Sequence, residues 1–211
     1  MTNVTRAFVL LTMVLTCTAY EMYAVNGGPW GSWTKSQRCP GLKVKGFQLR
    51  VEASVGRGDD TALNAIALLC EHHATIIPHS GIWGSWGMAK YCPIGSHVVG
   101  FRLKVEGNQG RGDDTAANDL ELKCSNGKVI SSSNGGSWGS WGMWRQCDRG
   151  HFICGLRVKF EASVGRGDDT ALNSVAFECC YNNVPLVSRT TYQHPRSSLG
   201  TVGGISFLRR P

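Results

Sequence analysis

Three pairs of adjacent aspartates are the residues of this sequence most suited to acid–base chemistry. A glycosidase needs two carboxylates roughly 5–9 Å apart in different environments, one protonated and one ionised. Adjacent side chains of an extended chain point to opposite faces, and in a turn aspartates bond nearby backbone amides. Because one active site needs one asymmetric arrangement, three near-identical copies favour turn building and leave these residues as weak catalytic candidates. They are Asp59, Asp60, Asp113, Asp114, Asp168 and Asp169.

All seven tryptophans lie in or beside three copies of the segment Trp-Gly-Ser-Trp. The two rings of each segment are three positions apart, so in a regular strand they face opposite sides. We expect one ring of each pair to fill the core, because aromatic rings are the largest apolar groups that a small sheet buries. The other ring faces outward, where it can stack on a sugar. The candidates for carbohydrate binding are Trp33, Trp86, Trp141 and the unrepeated Trp144.

Both motifs recur along the chain in the same order and at a nearly constant spacing. The segment that begins at Trp30 returns at Trp83 and at Trp138. The segment Gly-Asp-Asp-Thr-Ala that begins at Gly58 returns at Gly112 and at Gly167. Such self-similarity at a fixed period indicates a repeat architecture. The sequence therefore predicts three units, at residues 27–80, 81–134 and 135–180.

Apolar and polar residues alternate within each unit, as in a strand with one buried face. Phe47–Glu52 shows the pattern, and Phe101–Glu106 and Leu156–Glu161 repeat it. A second alternating run follows each Gly-Asp-Asp-Thr-Ala motif, and no window has convincing helical spacing. Four short strands per unit form a small sheet that cannot bury its apolar face alone. The sequence therefore predicts an all-β, three-sided prism of three four-stranded sheets with pseudo-threefold symmetry.

Residues 1–19 have the composition of a secretory signal peptide. One basic residue, Arg6, precedes a short apolar run, and small residues lead to a cleavage site after Ala19. The apolar run is too short to span a bilayer as a retained anchor, which is the alternative interpretation. We therefore expect a secreted, extracellular protein without a membrane span.

Eight cysteines remain once the signal peptide, with Cys17, is removed. An even number in a secreted chain indicates disulfides, and the close cysteine pairs of zinc sites are absent, so no metal is expected. In each unit one cysteine follows the tryptophan segment and one ends the second alternating run. Because Cys179 and Cys180 are neighbours, the exchange of their partners stays open. The repeat register predicts Cys39–Cys70, Cys92–Cys124, Cys147–Cys179 and an extra pair, Cys154–Cys180.

The net charge of +7 is concentrated at the two ends of the chain. Residues 181–211 carry four arginines and no acid, and Arg6 lies in the predicted signal peptide. In residues 20–180 acids and bases nearly balance and are interspersed, which argues against a nucleic-acid groove. We expect residues 20–180 to form a single domain and residues 181–211 to be a basic, flexible tail.

Together these features resemble the vitelline membrane outer layer protein 1 family. The likeness covers nearly all of residues 27–180, with three tryptophan segments, three Gly-Asp-Asp-Thr-Ala-x-Asn segments, eight cysteines and the closing Cys179-Cys180 pair. It implies the β-prism I fold, in which three Greek-key sheets surround a pseudo-threefold axis. It also implies a protein of an extracellular coat or secretion, such as an outer egg envelope. Residues 181–211 extend beyond the usual end of the family.

Three functions agree with these residues. The first is a structural or matrix-associated protein of an extracellular coat, which contacts coat glycoproteins or polysaccharide and needs no cofactor. The second is a lectin-like carbohydrate-binding module that uses the outward tryptophans. The third and least favoured is a glycan hydrolase or transglycosylase that uses the aspartate pairs.

Overall fold

A computed structural model describes residues 19–40, 43–53, 61–107, 117–162 and 171–181. In this part of the chain the structure consists of fifteen β-strands and one short 3-10 helix. The strands form three antiparallel sheets, which we call sheets I, II and III. The all-β fold with three sheets, predicted from the alternating pattern, is confirmed. Residues 1–18 of the predicted signal peptide and residues 182–211 of the predicted tail lie outside the described residues.

Sheet I is built on the hairpin of β4 (Val44–Val51) and β5 (Leu63–Cys70). The edge strand β6 (Thr75–Ile76) lies beside β5, and two short strands, β7 (Ser85–Trp86) and β8 (Lys90–Tyr91), share the place beside β4. The fourth strand position therefore returns to lie beside the first, which is the Greek-key order. The predicted four strand positions are present, and the fourth is interrupted into two strands. The prediction that one unit supplies all four strands is wrong, because β7 and β8 belong to the next unit and cross over to pair with β4.

Sheet II repeats this arrangement with the same strand order. Its hairpin is β9 (Val98–Val105) and β10 (Ala117–Cys124), and β11 (Val129–Ser131) lies beside β10. The interrupted edge consists of β12 (Ser140–Trp141) and β13 (Arg145–Gln146), which both pair with β9. The sequence repeat thus corresponds to a repeat of backbone topology.

Sheet III is completed by the N-terminal strands of the described chain. Its hairpin is β14 (His151–Phe160) and β15 (Leu172–Tyr181), the last two strands. The strand β1 (Tyr20–Tyr23) pairs with β15, while β2 (Ser32–Trp33) and β3 (Gln37–Arg38) pair with β14. The third and fourth positions of this Greek key therefore come from the other end of the domain, and the ring of sheets closes there.

The repeated disulfides join neighbouring sheets. Each begins just after an edge strand of one sheet and ends at the last part of the second hairpin strand of the next sheet. The fourth disulfide links the paired strands β14 and β15 within sheet III. The bonds are the pairs that the repeat register predicts: Cys39–Cys70, Cys92–Cys124, Cys147–Cys179 and Cys154–Cys180.

The apolar faces of the three sheets meet along the prism axis. In sheet II, Phe101 on the first hairpin strand lies opposite Leu122, whereas in sheet III Leu156 lies opposite Phe177. The Phe101 and Phe177 ring centroids are 4.4 Å apart. All four side chains are essentially inaccessible to solvent. Each pair thus contains one phenylalanine and one leucine, in opposite order in the two sheets, so the volume of the core is conserved. Protein cores tolerate volume-conserving exchanges of this kind.

A positive-φ glycine positions the tryptophan segment at each sheet edge. Gly84 has φ +77°, and a Cβ at this position would lie 2.3 Å from the backbone carbonyl carbon of Val51. A residue with a side chain rarely adopts this conformation, and its Cβ would clash with the backbone of β4. The glycine of Trp-Gly-Ser-Trp is therefore required for the edge strand to approach the hairpin.

The loop between the third and fourth strand positions of each Greek key contacts the neighbouring sheet. Asn26 donates from Nδ2 to the Leu103 carbonyl of sheet II at 3.1 Å, and Asn134 makes the same kind of bond to sheet I. In sheet I the equivalent residue is His79, whose ring packs on Phe160 of sheet III with centroids 3.6 Å apart. Two corners of the prism are therefore held by an amide and one by an imidazole.

Candidate functional site

The tryptophans lie at the margins of the sheets, and none of the seven is buried. The expectation that one ring of each pair fills the core is wrong. Each tryptophan segment forms only a two-residue edge strand behind a glycine turn, so neither ring reaches the axis. The first rings of the three segments, Trp30, Trp83 and Trp138, are 53%, 54% and 56% exposed.

The second tryptophan of each segment lies on the edge strand beside the first hairpin strand. Trp33 is on β2, Trp86 is on β7 and Trp141 is on β12. The outward positions of the neighbouring hairpin strand decide what these rings contact. One such position is occupied by Gln48 in sheet I, and the same repeat position is arginine in the other two sheets.

On sheet II, Arg102 lies against two indoles. Its guanidinium carbon is 4.7 Å from the Trp141 ring centroid and 5.0 Å from that of Trp144. The guanidinium also donates from Nε and Nη2 to Oε2 of Glu121, at 2.6 Å in both cases. Glu121 is its direct cross-strand partner. The arginine therefore covers part of both indoles and is itself held by a carboxylate.

On sheet III, Arg157 makes an equivalent cluster. Its guanidinium carbon is 4.8 Å from the Trp33 ring centroid and 5.5 Å from that of Tyr23. It donates to Oε2 of Glu21 at 2.6 Å. Burial opposes ionisation of Glu21, but hydrogen bonds from Tyr23 and Arg157 outweigh it, so the pKa of Glu21 lies below its ordinary value. The carboxylate is therefore charged at neutral pH and fixes the arginine over the indole.

Sheet I lacks this arrangement, because Gln48 replaces the arginine. Its amide donates from Nε2 to the Gly87 carbonyl at 2.6 Å, and its cross-strand partner is Ala67. Within the described ranges no lysine or arginine head group lies over Trp86, which is 39% exposed. Of the four tryptophans predicted to bind carbohydrate, Trp86 therefore has the most accessible ring.

The segment around Trp86 is also rich in other exposed apolar side chains. Clusters of large exposed apolar groups commonly mark interaction surfaces. We call this set the sheet I edge surface. It consists of Ile82, Trp83, Trp86, Met88, Tyr91 and Ile94.

The six aspartates named as weak catalytic candidates lie outside the described residues. The polar residues that follow them in the first unit are described and have structural contacts. Thr61 donates from Oγ1 to Oε2 of Glu52 at 2.5 Å, and the buried Asn64 donates from Nδ2 to Thr61 Oγ1 at 2.7 Å. These bonds tie the start of β5 to the end of β4. The role of the aspartates stays a prediction.

The described residues hold neither a candidate metal centre nor a helix that could span a membrane. No group of three or more histidine, cysteine, aspartate or glutamate side chains there is placed to hold a metal ion. No helix in the described ranges has the length and apolarity to cross a membrane.

Sequence reasoning missed the arginines that cover the indoles. In the alternating pattern Arg102 and Arg157 are simply polar members of their strands. Their signal was present, because they and Gln48 occupy the same position of the repeat. What the sequence did not show was that the edge strand brings an indole over that position.

Comparison with known proteins agrees with this architecture. Residues 21–182 match the family model described as vitelline membrane outer layer protein I. Proteins named vitelline membrane outer layer protein 1 homolog, from Homo sapiens and Mus musculus, are 42% and 40% identical over 164 and 163 residues. Each match spans 74% of this chain and 80% of the relative.

Solved structures of lectins share the fold. A prostate-specific glycoprotein lectin has a TM-score of 0.51 at 12% identity, over 76% of this chain and 99% of that one. Malaysian banana lectin has a TM-score of 0.50 at 13% identity, over 79% of this chain and 100% of that one. At these identities the likeness shows a common β-prism fold and nothing more. Because a family model matches most of its length and the human and mouse relatives support the match, the chain belongs to the vitelline membrane outer layer protein I family.

Proposed function

We propose that the protein is a secreted, structural component of an extracellular coat or secretion. The observation that carries this proposal is family membership over residues 21–182. The human and mouse relatives are named for the outer layer of the vitelline membrane. A structural role needs a durable fold rather than a single reactive site.

The disulfide arrangement supports a durable extracellular protein. Three bonds connect the sheets in a ring, so that each sheet is covalently tied to both neighbours. Each bond closes a loop of about 30 residues and is expected to stabilise the fold by about 3–4 kcal/mol. Such bonds persist in oxidising compartments outside the cytosol.

The N-terminal strand supports secretion with cleavage after Ala19. β1 begins at Tyr20, so removal of residues 1–19 leaves the ring-closing strand whole. The test is N-terminal sequencing of the full chain secreted by a eukaryotic cell. The expected first residue is Tyr20, and an uncleaved protein retained in the cell contradicts the proposal.

Fractionation of the native tissue tests the coat role. The protein is expected to stay with an insoluble extracellular layer after washing in high salt, since a structural component is held by many contacts. Recombinant protein added to stripped coat should rebind. Protein found only in the soluble fraction, without rebinding, contradicts the coat role.

We propose carbohydrate binding by the sheet I edge surface as a second candidate function. The specific observation is that Gln48 occupies the position at which Arg102 covers Trp141 in sheet II and Arg157 covers Trp33 in sheet III. Trp83 and Tyr91 add rings that are 54% and 58% exposed. Flat exposed rings of this kind can pack on the apolar faces of sugars.

Retention on insoluble chitin and peptidoglycan tests this second function. Trp86→Ala is expected to lower retention at least fivefold, the typical loss for an anchoring aromatic residue. Trp141→Ala is the matched control, because that ring already contacts Arg102, and it should retain wild-type binding. Equal effects of the two variants, or no retention of the wild type, contradict the assignment.

A further inference from the structure

An open cavity of about 460 Å³ lies at the end of the prism where the first hairpin strands of the three sheets begin. The repeat places Lys43, His97 and Phe152 at the same position of sheets I, II and III, just before these strands or at their start. All three side chains line the cavity. The pseudo-threefold symmetry thus brings three equivalent positions together, and they carry an ammonium, an imidazole and a phenyl ring.

Phe152 forms the base of this cavity. It is buried, with the Lys43 ammonium 5.6 Å from its ring centroid and the His97 ring in edge contact at 5.7 Å. Beneath it lies the extra disulfide, since Cys154 and Cys180 belong to the same small apolar cluster. The phenyl ring at this repeated position therefore packs on a disulfide that only the third unit has.

Positive charge exceeds negative charge at the cavity wall. Lys43 and Arg149 are lining cations, and among the described residues neither has an ion-pair partner. Among the described residues, Asp148 is the one carboxylate that lines the cavity. Burial lowers the pKa of His97, and the nearby charges of Lys43 and Lys45 lower it further, while Glu71 opposes them. The imidazole thus experiences a positive field, which favours an incoming anion.

The wall also carries groups suited to hydroxyls. Asp148 can accept hydrogen bonds, and Gln146 and Ser125 can donate or accept them. His151 Nδ1 is buried and has no hydrogen-bond partner within the described part of the chain. A carboxylate beside the cations disfavours a fully charged inorganic anion, yet it matches a ligand that has both one acidic group and several hydroxyls.

We infer that this cavity binds a sugar unit that carries a carboxylate. Lys43 and Arg149 bind the carboxylate, and Asp148 with Gln146 binds the ring hydroxyls. The cavity is within the size range of small-molecule sites in proteins and is larger than an inorganic anion requires. This site is distinct from the sheet I edge surface and does not depend on the coat role.

The experiment titrates the secreted, disulfide-intact protein with D-glucuronate, D-glucose and inorganic sulfate, and follows backbone amide shifts by NMR. Glucuronate is expected to bind at least tenfold more tightly than glucose or sulfate and to shift the amide signals of His97 and Gly150. Equal binding of glucose shows that the carboxylate is not recognised. Equal binding of sulfate shows a simple anion site. Either result, or no saturation by glucuronate, overturns the inference.

Variants of the two cations complete the test. Lys43→Met keeps an aliphatic stem over Phe152, and Arg149→Gln keeps an exposed polar side chain. Each is expected to weaken glucuronate binding about tenfold, the loss for one charge-assisted hydrogen bond. Arg145→Gln, at an exposed position outside the cavity, makes the same charge change and should leave affinity unchanged. Unchanged affinity in Arg149→Gln, which is exposed enough to leave folding intact, overturns the inference even if Lys43→Met fails to fold.

Discussion

The outer faces of sheets I and II differ although their backbones have the same strand order and register. On sheet II, Arg102 links Glu121 to two indoles through an ion pair and two ring contacts. On sheet I, Gln48 bonds a backbone carbonyl, and no lysine or arginine of the described residues lies over Trp86. The repeat therefore preserves the position of the indole, while one outward side chain decides whether the ring serves packing or is accessible to a ligand.

The same contrast applies to the corners of the prism. Asn134 holds sheet II to sheet I through an amide, and the equivalent residue of sheet I is His79. Symmetry of the backbone thus coexists with asymmetry of the side chains. Function is best sought where equivalent positions differ.

Removing the covalent link between sheets I and II should have the largest effect. Replacing both Cys92 and Cys124 with alanine is expected to lower the free energy of unfolding by about 3–4 kcal/mol. The reason is that the unfolded chain, without the crosslink, has a higher conformational entropy. Urea denaturation without reductant measures the loss. Replacing Cys154 and Cys180 opens a loop of similar size and should cost a similar amount. A loss below about 1 kcal/mol for the first pair would show that packing alone joins the sheets.

Truncating the two equivalent outward residues should lower the free energy of unfolding by different amounts in sheets I and II. Arg102→Ala leaves the carboxylate of Glu121, whose side chain is 13% exposed, without its cation, and is expected to cost about 2 kcal/mol. Gln48→Ala removes one hydrogen bond and should cost about 1 kcal/mol or less. Urea denaturation of both variants tests the difference. Equal costs would contradict a structural role for the arginine cluster.

Gln48→Arg should make sheet I resemble sheet II. The new guanidinium is expected to cover Trp86, so glycan retention falls, while stability changes by no more than about 1 kcal/mol. Retention on chitin measures the effect. Gln48→Met also removes the amide but adds no cation, and it should retain the glycan. If both variants bind like wild type, coverage by arginine does not control access to Trp86.

The smallest expected effect concerns the corner histidine. Burial lowers the pKa of His79, so the native state favours the neutral ring. As the pH falls below about 6.5, the unfolded chain takes up this proton more readily and stability declines. His79→Asn introduces the residue found at the other two corners and removes this contribution. Unfolding free energies at pH 7.5 and pH 5 should therefore differ less in the variant than in the wild type.

His97 also has a lowered pKa and remains in both proteins, so part of the pH dependence persists in His79→Asn. Asn134→Ala, at the equivalent corner of sheet II, provides the control. It should lower stability at both pH values without altering the pH dependence. An unchanged pH dependence in His79→Asn would show that the imidazole at this corner is not linked to folding.

Much of the fold was predictable because it depends on local pattern. The alternation in Phe101–Glu106 predicts a strand with one buried face, and Val98–Val105 is such a strand. The cysteine register predicts the pairs that the structure contains, because equivalent positions in a symmetric repeat have equivalent neighbours.

The candidate site was less predictable because it depends on which strands become neighbours. The sequence Trp138–Trp141 shows that two rings are three positions apart. Their environment depends on the sheet edge with which the segment pairs. The segment lies beside the hairpin of the preceding unit, at the margin, and the large side chains of the axis come from the hairpins. The size and apolarity of the rings therefore predict burial in the core, whereas the topology leaves them outside.

The repeat, the strand pattern and the cysteine register can all be read from the chain alone, since each follows from periodic positions along it. Other features arise only when the sheets assemble: the N-terminal strands complete sheet III, Arg102 covers two indoles, and Lys43, His97 and Phe152 meet at one end of the axis. These contacts join residues far apart in the chain, and their existence depends on the three sheets closing into a ring.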